Sequence, residues 1–228
     1  KKPTETDVDM TFYEAGTNKV KYNYLHTINH RGNPDTLVLD PDLKYDLTVH
    51  TIPPQEKKNI TIMRGKHNII PLDAPQGFLK LELDGSSNKY YPTTIIRKSG
   101  DMKTLNVQEF GKAEKYIVGK YDLEVLTLPR IYINDAEIKQ SSTNFIKIPS
   151  SGSVLFNKQT NGYGSLYTDD GKTVTWVCNF NNTILNEIIY LQPGKYKVVF
   201  RPDYAKEAIK TVEKNFEVKS GMPLTVKL

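Results

Sequence analysis

Few side chains in this sequence have a type and spacing suited to chemistry. Cys178 is the one thiol, and the four imidazoles, His26, His30, His50 and His67, all fall in the first third of the chain. A thiolate nucleophile needs a base beside it, whereas VTWVCNF around Cys178 reads as an apolar strand. The thiol is therefore expected to pack as a small hydrophobe. A lone cysteine excludes an internal disulfide framework and a cysteine-rich zinc site, and it leaves the compartment open. His26 and His30 stand four residues apart, but YLHTINHRGN reads as a strand running into a turn, so no zinc pair is expected.

Carboxylates gather at TETDVD (4–9), LDPDLKYD (39–46) and TDD (168–170). Calcium takes six or more converging oxygens, and an EF-hand loop has a fixed D-x-[DN]-x-[DN]-G pattern with a late Glu. None of the three fits. Asp40, Asp42 and Asp46 offer two or three ligands at most, and all three clusters read as turn acids. No Gly-rich phosphate loop, nucleophile elbow or HExxH string is present. The expectation is a protein without catalytic activity, cofactor or metal.

Aromatic residues give the best sign of binding. NKYYP (88–92), YNY (22–24), NGYGSLY (161–167) and Trp176 lie at loops or strand starts. Tyr90, Tyr91, Tyr163, Tyr167 and Trp176 are the candidate contacts, since sandwich modules that bind glycans stack sugars on exposed Tyr and Trp. The competing reading is that these rings fill a small β core. Exposure on one strip decides between the two. Nucleic acid is not expected: the net charge is only +5, and lysines alternate with acids in DLKYD, KAEK and VEKNFEVK instead of forming a basic block. No apolar run reaches the length of a membrane-spanning helix. The polar start KKPTETDVDM does not read as a signal peptide and suggests a mature terminus or an internal boundary.

The elements that position these residues repeat. KYDLTVHTIP (44–53) and KYDLEVLTLP (120–129) agree at seven of ten positions. A third copy begins at GKYKVVF (194–200). NFEVKSGMPLTVKL near the end answers DAEIKQSSTNFIKI, and APQGFLKL answers PSSGSVLF. The start of the first copy is less clear, and VDMTFYEAG is taken to answer GFLKLELDG. Strict alternation in YDLEVLTL, YKVVF and LTVKL, with turns at HRGN, KSGD and TDDGK, predicts antiparallel β structure. YAKEAIKTVEKN (204–215) is the one stretch that admits a short helix or an irregular turn. The fold expected is all-β: three tandem immunoglobulin-like or prealbumin-like β-sandwich modules of about 75 residues, at 1–74, 75–149 and 150–228.

In the repeated strand Tyr45, Tyr121 and Tyr196 share a face with the apolar residues that follow. They are expected to be core rings whose hydroxyls reach a backbone partner. Gly119 and Gly194 ahead of two of them supply turn conformations.

The run L-x-P-G-K-Y-x-V (191–198), a following strand, the KSG turn (219–221) and a final alternating strand resemble prealbumin-like and PEGA-like modules of bacterial envelope proteins. KYDLTVHTIPP, EKYIVGKYDLEVLTLPR and NGYGSLY with TWVCN resemble the segment that follows the von Willebrand factor A domain in a group of Bacteroidetes proteins, over roughly 40–228. The A domain itself is not in this sequence. Its metal site needs Asp-x-Ser-x-Ser, and DGSSN (84–88) ends in Asn88. The resemblance implies an extracytoplasmic location (periplasm, cell surface or secreted) and a von Willebrand factor A domain in the same precursor. It implies a structural or interaction role, as spacer, adhesin stalk or assembly subunit, with a protein or surface glycan as partner. A carbohydrate- or peptide-binding module is the alternative.

Overall fold

The computed structural model describes residues 8–28, 31–85, 90–205 and 210–228. Within them the chain is all-β, with no α-helix. Its strands fall into three successive groups.

The first group holds β1 (Val8–Glu14), β2 (Val20–His26), β3 (Lys44–Val49) and β4 (Gln55–Thr61), joined as one sheet in the order β2-β1-β3-β4. The second holds β5 (Gln76–Asp84), β6 (Thr94–Lys98), β7 (Thr104–Gln108), β8 (Ala113–Ile117), β9 (Gly119–Val125), β10 (Ile131–Ile138) and β11 (Thr143–Pro149). These make two sheets, β10-β9-β6-β7 and β11-β5-β8. The third holds β12 (Gly152–Asn157), β13 (Gly162–Asp169), β14 (Val174–Asn179), β15 (Asn186–Leu191), β16 (Gly194–Pro202), β17 (Val212–Val218) and β18 (Pro223–Lys227). Its sheets, β14-β13-β16-β17 and β15-β12-β18, repeat the plan of the second group strand for strand. In both, the short sheet is mixed: β5 runs parallel to β11, and β12 parallel to β18.

Each seven-stranded group closes on one core fed by both sheets. In the second, Leu79 and Leu81 of β5 and Tyr116 of β8 meet Ile96, Tyr121, Leu123 and Ile138 of the long sheet. In the third, Val154 and Phe156 of β12 and Leu191 meet Leu166, Tyr196, Val198 and Phe200. Period-two alternation places these residues inward, and fully burying each large side chain contributes about 1.5–3 kcal/mol. Gly77 and Gly152, at the starts of β5 and β12, are required by close approach. A Cβ would stand 2.1 Å from the Lys139 carbonyl oxygen at the first, and 2.6 Å from Val218 Cγ1 at the second.

The first group departs from this plan. Phe12 pairs with Leu47, as Ile96 pairs with Leu123 and Leu166 with Val198. So β1 corresponds to β6 and β13, and not to β5 as the sequence suggested. Both strands alternate and both end near a glycine, which is why the pattern misled. The turn register moves with it. Gly16 (φ 72°) follows β1 as Gly100 (φ 75°) follows β6 and Gly171 (φ 82°) follows β13, whereas Gly32 of HRGN lies beyond β2. The first sheet packs Phe12, Tyr45, Leu47, Val49 and Ile60 under Leu37, Leu39, Leu43, Ile62, Ile70 and Leu72. Those covering residues sit in segments that form no strand among the described residues.

Of YAKEAIKTVEKN, residues 206–209 lie outside the described residues, and residues 212–215 begin β17.

Candidate functional site

Tyr45, Tyr121 and Tyr196 are buried, and each hydroxyl donates to a backbone carbonyl: Asp40 O at 3.0 Å, Ile117 O at 2.5 Å and Gln192 O at 2.7 Å. Burial raises all three phenols, Tyr45 and Tyr121 to about 12, so the hydroxyls stay donors across the ordinary pH range. Gly119 and Gly194, with φ of 159° and 157°, lie under the rings of Tyr121 and Tyr196, whose Cε2 atoms would stand 3.9 and 3.7 Å from an added Cβ.

The residues that receive two of these hydroxyls have a second partner. The N–H of Ile117 donates to Ile52 O at 2.8 Å, and the N–H of Gln192 to Leu128 O at 2.7 Å. Ile52 and Leu128 come from the preceding group of strands, at the end of the repeated phrase. Their side chains pack against the next core, Ile52 on the second and Leu128 on the third. The approach is built identically both times. Thr51 N bonds Val49 O and its Oγ1 donates to Pro53 O at 2.6 Å, while Thr127 N bonds Val125 O and its Oγ1 donates to Pro129 O at 2.7 Å. The Ile52–Pro53 and Leu128–Pro129 bonds are both cis. One residue is thus held at its carbonyl by the tyrosine of its own group and at its N–H by the plug of the group before. The T-x-P identity carried the signal for this joint, though periodicity gives no reason for it.

The two ends lack parts of the joint. In the first copy the hydroxyl goes to Asp40, five residues before Tyr45, and no T-x-P segment precedes it among the described residues. After β16 the phrase continues Pro202-Asp203-Tyr204, where Arg201 Nη2 donates to Ala205 O at 2.9 Å instead.

The Asp of K-Y-D is structural as well. Asp46 accepts from Gly16 N at 3.0 Å and Asn59 N at 2.8 Å; Asp122 accepts from Gly100 N and Asp135 N, both at 2.9 Å. Asn59 and Asp135 have a φ of 56°, and the adjoining strand pairs β3–β4 and β9–β10 slip register there. The donated N–H bonds, from Asn59 first at Asp46 and from Asp135 first at Asp122, hold both carboxyls below their ordinary range. In the third copy Lys197 replaces the Asp and pairs with Glu213 at 2.5 Å, and β16–β17 runs without a slip.

Asp40, Asp42, Asp169 and Asp170 serve turns or ion pairs, and His26 lies against Asp35. Asp42 pairs with Arg64, and Asp40 Oδ1 accepts from Asp42 N. Asp170 accepts from the N–H groups of Lys172 and Thr173, and Asp169 from Gly171 N. His26 Nδ1 lies 2.7 Å from Asp35. Burial would raise the Asp35 carboxyl, but hydrogen bonds led by the Thr27 N–H hold it at about 2. His30, residues 4–7 and residues 86–88 lie outside the described residues. No group of three His, Cys, Asp or Glu capable of holding a metal occurs among the described residues. Cys178 is half-buried on the third core, where burial and then the Glu187 charge push its thiol up, away from nucleophilic character.

The five candidate aromatics divide. Tyr163, Tyr167 and Trp176 lie on the outer face of β13–β14. Tyr163 is 66% exposed and Trp176 57% exposed, and Tyr167 lies directly opposite Trp176 in the ladder. Lys197 and Arg201 of β16 sit opposite Tyr167 and Tyr163 on the same face. Trp176 Nε1 donates to Asn179 Oδ1 at 2.9 Å, which also accepts from Ser165 Oγ. Tyr90 instead stacks on Tyr190 of β15, with ring centroids 4.8 Å apart, and Tyr91 is exposed apart from these.

No protein-family model and no curated protein matches the sequence. Among solved structures, the Bacillus anthracis TIE protein is similar to it at 15% identity, with a TM-score of 0.29. The match covers 100% of this chain and 48% of that one, so the chain spans about half the length of that protein. No helix among the described residues is long and apolar enough to cross a membrane.

Proposed function

We propose that the chain is a non-catalytic structural or interaction protein of the bacterial cell envelope or surface. Its modules, 1–74, 75–149 and 150–228, act in series as a spacer, adhesin stalk or assembly subunit. The observation that carries this reading is the joint made twice from the same residues, Thr51-Ile52-Pro53 onto Ile117 and Thr127-Leu128-Pro129 onto Gln192. Domain boundaries ordinarily run through exposed linkers that few contacts cross. Here the boundary places an apolar side chain in the next core and a carbonyl on its backbone, which serves to transmit orientation. The extracytoplasmic location rests on the resemblance to envelope modules.

The test is residual dipolar coupling on the whole chain and on Leu128→Ser. The second and third modules of the parent should share one alignment tensor, and those of the variant should acquire two. Two tensors in the parent would end the reading.

A second reading is favoured by the exposed Tyr163 and Trp176, with half-buried Tyr167 on the same face: a platform for a surface glycan or an extended peptide. Trp176 is the chain's one tryptophan, so its emission reports on this face alone. Titration with envelope polysaccharide should shift that emission, and an unchanged spectrum at saturating glycan counts against a glycan platform.

A further inference from the structure

We infer that the third unit binds an uncharged glycan chain along its outer face, with the terminal sugar held in a cleft between the β13–β14 hairpin and β16–β17. This rests on the platform reading above and adds to it the cleft and the class of sugar. In the first and second units the hairpin is latched to the KY strand. Gly16 and Gly100 stand two residues past the last laddered positions, Glu14 opposite Tyr45 and Lys98 opposite Tyr121, and each donates its N–H to the Asp of K-Y-D. In the third unit the matching position is Thr168 opposite Tyr196, so Asp170 stands in the glycine's place. Its N–H turns to Thr173 O at 3.4 Å, and the Asp is replaced by Lys197, whose side chain has no acceptor. Gly171 N donates to Asp169 Oδ1, and the N–H groups of Lys172 and Thr173 to Asp170 Oδ1, so this hairpin bonds to itself. A cleft of about 440 Å³ lies between it and β16–β17, a size within the range of small-molecule pockets.

The cleft is lined by Asp169 of the hairpin and by Lys195, Asn215 and Glu217 of β16 and β17. Its apolar part is Phe216, which stacks on buried Tyr196 with ring centroids 5.7 Å apart. The cleft continues the aromatic face. Asn215 lies opposite Lys197, and Lys197 opposite Tyr167, so cleft and platform share one row of the sheet. Asp169 is two residues beyond Tyr167, on the same face of β13. From Tyr163 to Asp169 the face runs about 20 Å along the strand, room for several sugars in line. No ring stacks on Tyr163, Tyr167 or Trp176 among the described residues, in contrast to Tyr90 on Tyr190.

The charges of this face answer one another, which defines the occupant. Lys197 pairs with Glu213 at 2.5 Å, Arg201 Nη2 donates to Ala205 O, and Lys195 lies opposite Glu217 in the ladder. A chain of one sign would set each of its charges beside a like charge of the face. Hydroxyls suit both signs, because they donate to Glu217 and accept from Lys195 and Asn215. The aromatic rings offer apolar area for the flat faces of the sugars. An extended peptide is gripped through its backbone at a sheet edge. Tyr163, Tyr167 and Lys197 stand instead on β13 and β16, interior strands bonded on both sides, so recognition here falls to side chains.

The test is titration of the full chain with cellohexaose, maltohexaose and mannohexaose, beside hexagalacturonate and single-stranded oligothymidylate. Trp176 emission reads the platform, and the amide shifts of Asp170, Asn215 and Glu217 read the cleft. At least one uncharged hexaose should move both signals. Asn215 and Glu217 are exposed, so Asn215→Ala and Glu217→Gln should keep the parent's unfolding temperature. Each should weaken that binding about tenfold, the loss of one hydrogen bond involving a charged or polar partner. A hexaose that moves Trp176 without the cleft amides, or that binds both variants as tightly as the parent, overturns the inference and leaves the platform reading standing. Tighter binding of hexagalacturonate or oligothymidylate than of every uncharged hexaose overturns the class of ligand. Trp176 emission unchanged by all of the glycans removes the platform reading as well. None of these outcomes touches the dipolar-coupling result, so the joint is judged separately.

Discussion

The first and second units begin from the same phrase and finish differently. Both place K-Y-D-L at the centre of a four-stranded sheet, both bond the Asp to a hairpin glycine and a positive-φ residue, and both send a T-x-P plug into the next core. The second unit then sets β5 into its other layer and brings Leu79, Leu81 and Tyr116 to full burial, whereas the first covers its sheet with half-buried leucines and isoleucines. The difference teaches that the long sheet and the joint belong to the repeated phrase, while completion of the core depends on a strand outside it.

Core truncation should separate the two units most. Leu81→Ala is expected to cost the second unit about 2–5 kcal/mol, the range for a buried leucine that leaves a cavity. Leu39→Ala, at a half-buried site, should cost the first unit less than half as much. Urea denaturation read by unit-resolved hydrogen exchange measures both, and equal losses would erase the distinction.

Removing the tyrosine hydroxyl should come next. Tyr121→Phe and Tyr45→Phe each delete one hydrogen bond, a net loss of about 1 kcal/mol. Only Tyr121 holds the residue that receives a plug, so Tyr121→Phe should also loosen the alignment of the first and second units. Tyr45→Phe should leave every alignment unchanged.

The smaller effect is on pH. Asp46 and Asp122 have depressed carboxyls in the folded chain. The stability they supply is present above the ordinary Asp pKa of about 3.9 and is lost as the pH falls through their lower folded values. The first and second units should therefore lose stability on acidification through that window. Asp122→Asn should flatten the response of the second. The third unit has Lys197 in this place and should lack this component.

Much of the long sheet was legible in the sequence. Alternation after Tyr45, Tyr121 and Tyr196 marks an inward face, and Gly100 and Gly171 mark hairpins because positive φ suits glycine. The roles of Asp122 and Leu128 were not legible, since each acts on a neighbouring strand or the next unit, and periodicity carries only local information. The counterpart of β1 was missed for a related reason: VDMTFYEAG and GFLKLELDG share alternation and a closing glycine, and only cross-strand register tells them apart. Of the candidate aromatics, Tyr163 and Tyr167 are four apart on one strand face, but their sharing that face with Trp176 depends on the β13–β14 pairing.

Amide hydrogen exchange of the unliganded full chain tests the central claim most directly, because ladder hydrogen bonds set protection. One sandwich plan whose first copy shows no central strand of a second sheet among the described residues predicts near-unprotected amides at 36–40 and 66–73. The amides that bond β5 and β12 from β8, β11, β15 and β18 should be protected. Equal protection of 36–40 and 66–73 and of their counterparts in the other two units would contradict it.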